Sequence, residues 1–252
     1  MAVFADALAP YSPYLTDGKS RLLAPSAQHL FGTDGFGRDV LARILYGART
    51  SLLIAIGVVS TGTVVATLIG VTTGLFGGLW DLVVQRFVDA MQSMPGLVIA
   101  MAILSVVTPN FMTMTLVLAI IFVAGPSRVI RSATLSIRGN EYVTAATAIG
   151  ATNTRIVLYH VLPNIFAPIM VVASVAMGAT ILVEASLSFL GFGIPPPATS
   201  WGQMLTTSAR EYMLQRPTLA FFPGLFITMA VFGFNMLGDA LRDVVDPRMR
   251  GR

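Results

Sequence analysis

The sequence contains no cysteine and only two histidines, and these absences exclude most metal and catalytic chemistry. Without cysteine there are no disulfides and no thiolate metal sites. The histidines, His29 and His160, lie far apart in the sequence, and no paired metal-ligand spacing or nucleophile elbow accompanies them. We therefore expect no metal site, no catalytic residue and no enzymatic activity in this chain.

Charge is also scarce. Charged residues make up 11% of the 252 residues and hydrophobic residues 55%, whereas soluble domains carry about 25% charged residues. A membrane helix needs about 20 apolar residues. Three of the four uncharged runs fit one such helix each, and the longest fits two because Pro109-Asn110 marks a turn in its middle. The runs are Thr50–Trp80, Ala90–Ser127, Ile156–Val183 and Pro217–Gly238. The sequence therefore predicts an all-α, polytopic membrane helix bundle with five full transmembrane helices.

The formal net charge is +4, and the basic residues are scattered rather than clustered. That distribution argues against a nucleic-acid partner and fits arginines at the surface of a lipid bilayer. Arginines follow the third complete span and recur at the C-terminus, which predicts that the loop at about 131–163 and the tail 242–252 are cytoplasmic. Basic residues between 19 and 49 give a competing signal. The arginines on which the prediction rests are Arg128, Arg131, Arg138, Arg155, Arg242, Arg248, Arg250 and Arg252.

Residues 138–164 form a polar interruption between two uncharged runs. Asn140 is a good N-cap, Glu141 places negative charge in the first turn, and Gly150 is a good terminator. Together they predict a helix of about nine residues over 141–149. A second helix is expected to follow. The residues expected to cap it and then to bend or restart it are Thr152 or Asn153, and Pro163.

The predicted helix over 141–149 is short, and an isolated helix of this length is marginal in water. Tyr142, Ala146 and Ile149 share one face of it, while Ala145 and Ala148 keep the neighbouring surface small. The helix must therefore dock on something. It is either a connector that lies on its own protein's surface or a contact for a partner protein.

This loop resembles the cytoplasmic coupling loop of permease subunits of ATP-binding-cassette (ABC) importers. The family motif reads E-A-A, three residues, G, nine residues, I-x-L-P. Ala145, Ala146 and Gly150 match it, and Leu162 and Pro163 match at the correct distance. The resemblance implies that these residues form the surface through which a separate ATPase moves the permease.

Two positions depart from the family motif. Thr144 stands where the motif has Glu, and His160 stands where it has Ile. Position 144 therefore offers no acid for a salt bridge. Glu141, three residues earlier, offers an acid on the same face of a helix, and we include both Glu141 and Thr144 in the expected coupling surface.

Three further segments resemble the dipeptide, oligopeptide and nickel permeases of this family, in the family's order. They are GTDGFGRDVLARILYGARTSL at Gly32–Leu52, EASLSFLGFGIPPPATSWGQML at Glu184–Leu205, and FNMLGDALRDVVDPRMR at Phe234–Arg250. With the loop they cover nearly the whole chain. The resemblance is to the second, C-type permease of such a system, and it implies the type I ABC importer permease fold.

The resemblance implies a pore subunit in a bacterial inner membrane. The expected partners are a homologous second permease in a heterodimer, two ATP-binding subunits, an extracytoplasmic solute-binding protein and the lipid bilayer. No cofactor is expected in this chain, because ATP and Mg²⁺ would bind the partner ATPase. The expected substrates are di- or oligopeptides or similar solutes. The alternatives are a nickel-chelate or glutathione-type importer, or a secondary carrier.

The resemblance also suggests how the chain is divided. Residues 1–50 are interpreted as the remnant of a sixth, N-terminal helix and an outer amphipathic segment; either the true start lies upstream or this is a five-helix variant. Residues 51–241 are the transmembrane permease domain. Within the outer segment, residues 39–46 predict a short amphipathic helix in the membrane interface, or alternatively a solvated lead-in to the first span. Its interfacial residues would be Leu41, Ile44 and Leu45, with Arg38, Arg43 and Arg49 near headgroups.

Glu184 is the one acid in the fourth span, and it lies near the outer boundary. An ionisable group in a span is a candidate functional site, and a structural ion pair or hydrogen bond is the alternative. The following loop, 191–216, is stiffened by prolines and contains Trp201, a residue suited to an interface. By resemblance this loop, including Pro196 and Trp201, faces the solute-binding protein; the alternative is a lid packed on its own bundle.

Overall fold

A computed structural model describes residues 2–245, apart from the side chains at 207, 208 and 245. Within this range the chain is helical, and an isolated bridge between Thr33 and Asp39 is the only β-type pairing. Helices suit a chain with long apolar runs because every backbone polar group is then paired within its own segment. The all-α prediction is confirmed.

Eleven α-helices lie within the described residues, joined by short turns. They are α1 (Ala5–Leu8), α2 (Val40–Phe76), α3 (Gly78–Gln92), α4 (Gly96–Val106), α5 (Phe111–Arg138), α6 (Glu141–Ala148), α7 (Asn153–Ile156), α8 (Leu162–Leu187), α9 (Trp201–Met204), α10 (Arg210–Tyr212) and α11 (Thr218–Val245). A 3₁₀ turn lies at Gly18–Ser20, and wider π-type turns lie at Val157–Val161, Ser188–Phe192 and Leu205–Ala209.

Four helical segments among residues 2–245 are long and apolar enough to cross a membrane. They are Val40–Phe76, Phe111–Arg138, Asn153–Phe192 and Thr218–Val244. Helices α3 and α4 are bent by 83° relative to each other and make a fifth span only if the pair crosses as one. The bend lies at Pro95-Gly96, where α4 begins. Helix α4 alone, at about 16 Å, is too short for the full span predicted there.

The described chain forms two compact units. The first comprises residues 2–57, 100–117 and 178–233, and the second comprises residues 58–99, 118–177 and 234–245. Each unit has its own apolar core. The core of the first contains Val40, Ile44, Met204, Ala209 and Leu219. The core of the second contains Ala66, Val71, Val123, Ile130, Val143, Ile156, Val161, Ile165 and Ile169.

The first long helix begins earlier than predicted. Helix α2 is continuous from Val40 to Phe76, so the separate amphipathic helix predicted at 39–46 does not exist. Its start is fixed by Asp39, whose carboxylate accepts the N–H of Ala42 at 2.7 Å. The predicted interfacial residue Ile44 is instead fully buried in the first unit.

Arg43 was expected near lipid headgroups, and that expectation is wrong. Its side chain is buried and donates to Asp34 at 2.9 Å and to Gln203 Oε1 at 3.2 Å. Asp34 also pairs with Arg38 at 2.7 Å. Burial of the guanidinium is tolerated because the preceding loop supplies a carboxylate for it.

Glycines let α2 and α5 approach closely in the second unit. A Cβ atom on Gly70 would lie 2.7 Å from the carbonyl oxygen of Ser127 and 2.8 Å from Cβ of Ile130. Gly62 and Gly74 have similarly close neighbours on α5. The small residues in this span therefore serve helix packing.

We predict that Gly70→Ala destabilises the protein by about 1–3 kcal/mol, because the added methyl group has no room between α2 and α5. Gly233→Ala is the matched control, since Gly233 lies inside α11 and an added Cβ there meets nothing within 4 Å. The control should stabilise by about 0.5–1 kcal/mol, the usual gain of Ala over Gly within a helix. Thermal unfolding of the detergent-solubilised protein measures both. Equal effects of the two changes would contradict the close packing.

Candidate functional site

The loop helix α6 lies where the sequence placed it. It spans Glu141–Ala148, one residue shorter than predicted, and Asn140 precedes it with extended backbone (φ −74°, ψ 146°). Asn140 occupies the N-cap position but makes no side-chain capping bond. Its amide instead donates to the hydroxyl of Tyr142 at 3.3 Å.

The end of α6 is a glycine-terminated turn. Gly150 has φ +82°, and its N–H donates to the carbonyl of Thr147 at 3.0 Å. The N–H of Ala151 donates to the carbonyl of Ala146, also at 3.0 Å. This pair of bonds is the Schellman arrangement, which satisfies the last carbonyls of a helix. Thr152, one of the two predicted caps, then caps α7 by accepting the N–H of Arg155 at 3.4 Å.

One face of α6 is seated in the second unit. Val143 is 3% exposed and belongs to that unit's core, and Ala146 is 8% exposed. The face expected from the sequence is therefore only partly right, because Tyr142 is 42% exposed and Ile149 is 86% exposed. The buried pair has the i, i+3 spacing that begins at Val143.

The other face of α6 is free. Glu141, Thr144, Ala145, Ala148 and Ile149 are all exposed. Apart from the acid and one hydroxyl, this face is small and apolar. The helix is therefore both a packed connector and an open surface, and the two alternatives drawn from the sequence are not exclusive.

The end of the motif runs into a membrane helix without a break. Leu162 and Pro163 open α8, directly after the π-type turn Val157–Val161. A helix break was an alternative at Pro163 and does not occur there. A wider turn before a proline reduces the clash between its ring and the carbonyl four residues earlier.

The arginines around the loop differ in their partners. Arg131 donates to Asp81 of α3 at 2.6 Å, and Arg128 pairs with Asp89 of the same helix. Arg138 donates only to the carbonyl of Gly74, at 3.4 Å, and has no carboxylate within salt-bridge distance among residues 2–245. The pairs with α3 were not foreseen, because the partners lie 39 and 50 residues apart in sequence.

Arg138 lines a cleft beside α6. The cleft has a volume of about 310 Å³, and its remaining lining residues are Leu75, Phe76, Val143, Thr144, Thr147, Asn153 and Ile156. Thr144, which stands where the family motif has Glu, thus lines the same cleft as Arg138. Arg138 is the cation that has no carboxylate partner among residues 2–245.

Glu184 lies in the first unit and is fully buried. Its carboxylate accepts three serine hydroxyls, from Ser188 at 2.8 Å, Ser200 at 2.9 Å and Ser51 at 3.2 Å. These serines belong to three different parts of the chain. The sequence left open a functional site, an ion pair or a hydrogen bond at Glu184. The structure shows hydrogen bonds within the first unit.

Trp201 does not present its ring to a partner. It is 4% exposed, its Nε1–H donates to the carbonyl of Ile44 at 3.0 Å, and its ring lies near that of Phe226. The expectation of an interfacial, receptor-facing Trp201 is wrong, since the indole finds its one hydrogen-bond acceptor inside the first unit. Pro196, in the same loop, is exposed.

A family model for the inner membrane component of binding-protein-dependent transport systems matches residues 66–251. The chain belongs to this family. The match includes α6, the Schellman turn and the cleft beside them. The family and the all-helical architecture show a multi-pass membrane protein that is a permease subunit of an ABC importer.

Several curated proteins are similar to this chain over nearly all of its length. The dipeptide transport system permease DppC of Alkalihalophilus pseudofirmus is 40% identical over 250 residues, which cover 99% of this chain and 82% of that protein. The probable D,D-dipeptide permease DdpC of Escherichia coli K12 is 36% identical, with coverage of 100% and 84%. The glutathione permease GsiD of Escherichia coli O6:K15:H31 is 37% identical, with coverage of 100% and 83%.

Solved structures share the fold. The MetNI methionine ABC transporter, in an inward facing conformation, matches with a TM-score of 0.65 and 18% identity over 81% of this chain and 97% of that one. An amino acid ABC transporter matches with a TM-score of 0.55 and 17% identity, covering 83% and 93%. The fold is that of a type I ABC importer permease. Among residues 2–245, four helical segments are long and apolar enough to span a membrane, or five if the bent pair α3 and α4 crosses as one.

We predict that Gly150→Ala lowers stability by about 1–2 kcal/mol, because a side chain disfavours the left-handed backbone at φ +82°. Space is not the cause, since an added Cβ there meets nothing within 4 Å. Gly139→Ala is the control: Gly139 lies in the same loop, is equally open and does not have a positive φ. Thermal unfolding in detergent compares them, and an equal loss at both glycines would argue against the strain.

We predict that Glu184→Ala costs about 1–3 kcal/mol, because three buried hydroxyls lose their acceptor. Glu184→Gln keeps one acceptor oxygen and should cost less. Ser186→Ala should change nothing, since that exposed hydroxyl donates only to the carbonyl of Leu182 on its own helix. Thermal unfolding and solute uptake are measured together. Full stability with abolished uptake in Glu184→Ala would favour a role in transport instead.

Proposed function

We propose that this chain forms half of the translocation pore of an importer for peptide-like solutes. It pairs with a homologous permease, two ATP-binding subunits drive it, and an extracytoplasmic solute-binding protein delivers the substrate. The support for the substrate class is the similarity, over 99–100% of the chain, to permeases named for dipeptides and for glutathione, itself a modified tripeptide.

The proposed orientation places the 131–163 loop and the C-terminal tail in the cytoplasm. It is supported by Arg128, Arg131 and Arg138 in the last turns of α5 and by Arg155 after it, because cytoplasmic loops carry an excess of Lys and Arg near the membrane. Residues 246–252, which contain three of the tail arginines, lie outside the described part of the chain. In this orientation Glu184 and Pro196 lie toward the opposite side.

The observation that carries the coupling proposal is the two-sided packing of α6. Val143 and Ala146 fasten the helix to the second unit, while Ala145, Ala148 and Ile149 are exposed. A partner ATPase that grips the exposed face can therefore push on the core of this unit through the buried face. The partner binds ATP and Mg²⁺, and this chain supplies the lever and the attached spans.

The acid of the family motif is replaced in this coupling surface. Thr144 directs its hydroxyl at the carbonyl of Asn140, at 3.3 Å, and carries no charge. Glu141 is exposed in the first turn of α6 and is the helix's one acid. An arginine or lysine of the ATPase would therefore form a salt bridge with Glu141, since Thr144 has no carboxylate.

We predict that Ala145→Arg abolishes uptake and the coupling of ATP hydrolysis to substrate, because a long cation replaces a methyl group on the gripped face. Ser136→Arg is the control, since it adds the same side chain at an exposed position on α5, outside α6. Ala146→Arg is a poorer test, because Ala146 is buried and the change would disturb the loop itself. Uptake and ATP hydrolysis are measured for Ala145→Arg and Ser136→Arg in assembled importers reconstituted in liposomes.

Thermal unfolding of the same preparations should be unchanged, which separates coupling from folding. Normal uptake and normal ATPase stimulation in Ala145→Arg would refute the proposed contact. Loss of both in Ser136→Arg as well would show that any added cation on the loop is harmful.

A further inference from the structure

An apolar groove runs along the membrane-crossing helices of the second unit. It has a volume of about 240 Å³ and follows α2 from residue 67 to residue 76, about 13 Å at 1.5 Å per residue. Val71 forms its buried floor, and the exposed side chains of Leu68 and Leu158 form its rims. The other lining residues are Thr67, Thr72, Leu75, Phe76, Asn153, Thr154, Val157 and Leu162.

Two of the six α2 residues that line this groove, Thr67 and Thr72, are polar. Thr72 donates its hydroxyl to the carbonyl of Leu68 at 2.7 Å, within its own helix. The other four, Leu68, Val71, Leu75 and Phe76, present hydrocarbon along the length of an acyl chain segment. The groove lies between the last turns of α2 and the first turns of the helical segment Asn153–Phe192, both long and apolar enough to cross a membrane. An exposed apolar groove where two such helices meet the membrane surface is a site for lipid or protein.

The groove adjoins the cleft beside α6. The two cavities share Leu75, Phe76 and Asn153 as lining residues. In the cleft, Thr144 and Thr147 direct their hydroxyl protons at carbonyls of their own helix. The N–H donors left for a ligand are the guanidinium of Arg138 and the side-chain amide of Asn153.

The positive charge of Arg138, in the cleft beside α6, is not balanced by a nearby carboxylate among residues 2–245. Arg131 pairs with Asp81 of α3, and Arg128 pairs with Asp89, which Arg86 also approaches at 3.7 Å. Arg138 instead meets a carbonyl and no carboxylate among residues 2–245. A ligand that fits both cavities needs an anionic head and a long apolar tail. An acidic side chain of a partner protein would fill the cleft and leave the groove empty.

We propose that the groove and the cleft together bind one anionic phospholipid. The phosphate lies at Arg138 and Asn153, and one acyl chain lies along α2 between residues 67 and 76. The site requires only that α2 and the helical segment Asn153–Phe192 cross the membrane, with the groove at the inner surface of the bilayer. It therefore does not depend on the coupling role of α6.

The test compares two phospholipids with identical acyl chains, phosphatidylglycerol and phosphatidylcholine, bound to the delipidated importer complex in detergent. Native mass spectrometry counts the retained lipid. The wild type should retain phosphatidylglycerol preferentially, and Arg138→Gln should reduce that preference about fivefold, the effect of one arginine near a membrane surface. Arg155→Gln is the matched control: Arg155 is exposed on the same loop and lines neither cavity.

A second pair of variants tests the acyl chain. Leu158→Trp places a large ring over the groove and should lower retention of both lipids. Tyr159→Trp, at the neighbouring exposed position that does not line the groove, should lower neither. Both substitutions are at exposed positions, so folding is preserved.

Three results would overturn the proposal. Equal effects of Arg138→Gln and Arg155→Gln would mean that only general surface charge attracts the lipid. Displacement of phosphatidylglycerol by soluble glycerol 3-phosphate at the same concentration would mean an anion site without an acyl chain. Unchanged lipid retention in Arg138→Gln, with loss of the ATPase subunits from the complex, would assign the cleft to the ATPase.

Discussion

The seating of α6 by Val143 and Ala146 is the interaction on which the loop depends. A helix of eight residues does not persist alone in water. Burial of one valine side chain contributes about 1.5–3 kcal/mol, enough to hold a single short helix in place. The Schellman turn at Gly150 then returns the chain into α7 within three residues. Contacts within the second unit thus fix the position of α6 and the direction in which the chain leaves it. The exposed face of α6 takes no part in that packing.

The ends of the helix were readable from the sequence, and the packing of its faces was not. Gly150 terminates α6 as predicted, and Thr152 caps α7 as one of the two predicted candidates. Asn140 occupies the predicted N-cap position without the capping bond. The buried face was assigned to Tyr142, Ala146 and Ile149, because periodicity cannot tell which of several apolar stripes meets the core. That choice is made by α2, α5 and α8, which lie far away in the sequence.

The same limit explains the errors at the other unit. Arg43 looked like a headgroup arginine and Trp201 like an interfacial aromatic, since both residue types favour membrane surfaces. Each instead has a specific partner inside the first unit, Asp34 for the guanidinium and the carbonyl of Ile44 for the indole. Partners contributed by distant segments override the preference of the residue type, and composition alone does not reveal them.

Burial of Trp201 narrows the part of the 191–216 loop that remains available to a partner. Ser200 and the backbone of Trp201 are tied to Glu184 and Ser51, and Gln203 is tied to Arg43. The stretch at 200–203 is therefore occupied by contacts within the first unit. The exposed prolines 195–197 precede it and carry no such bonds. If the solute-binding protein meets this loop, it meets the proline stretch or the exposed Met213 and Leu214 on the far side of the occupied stretch.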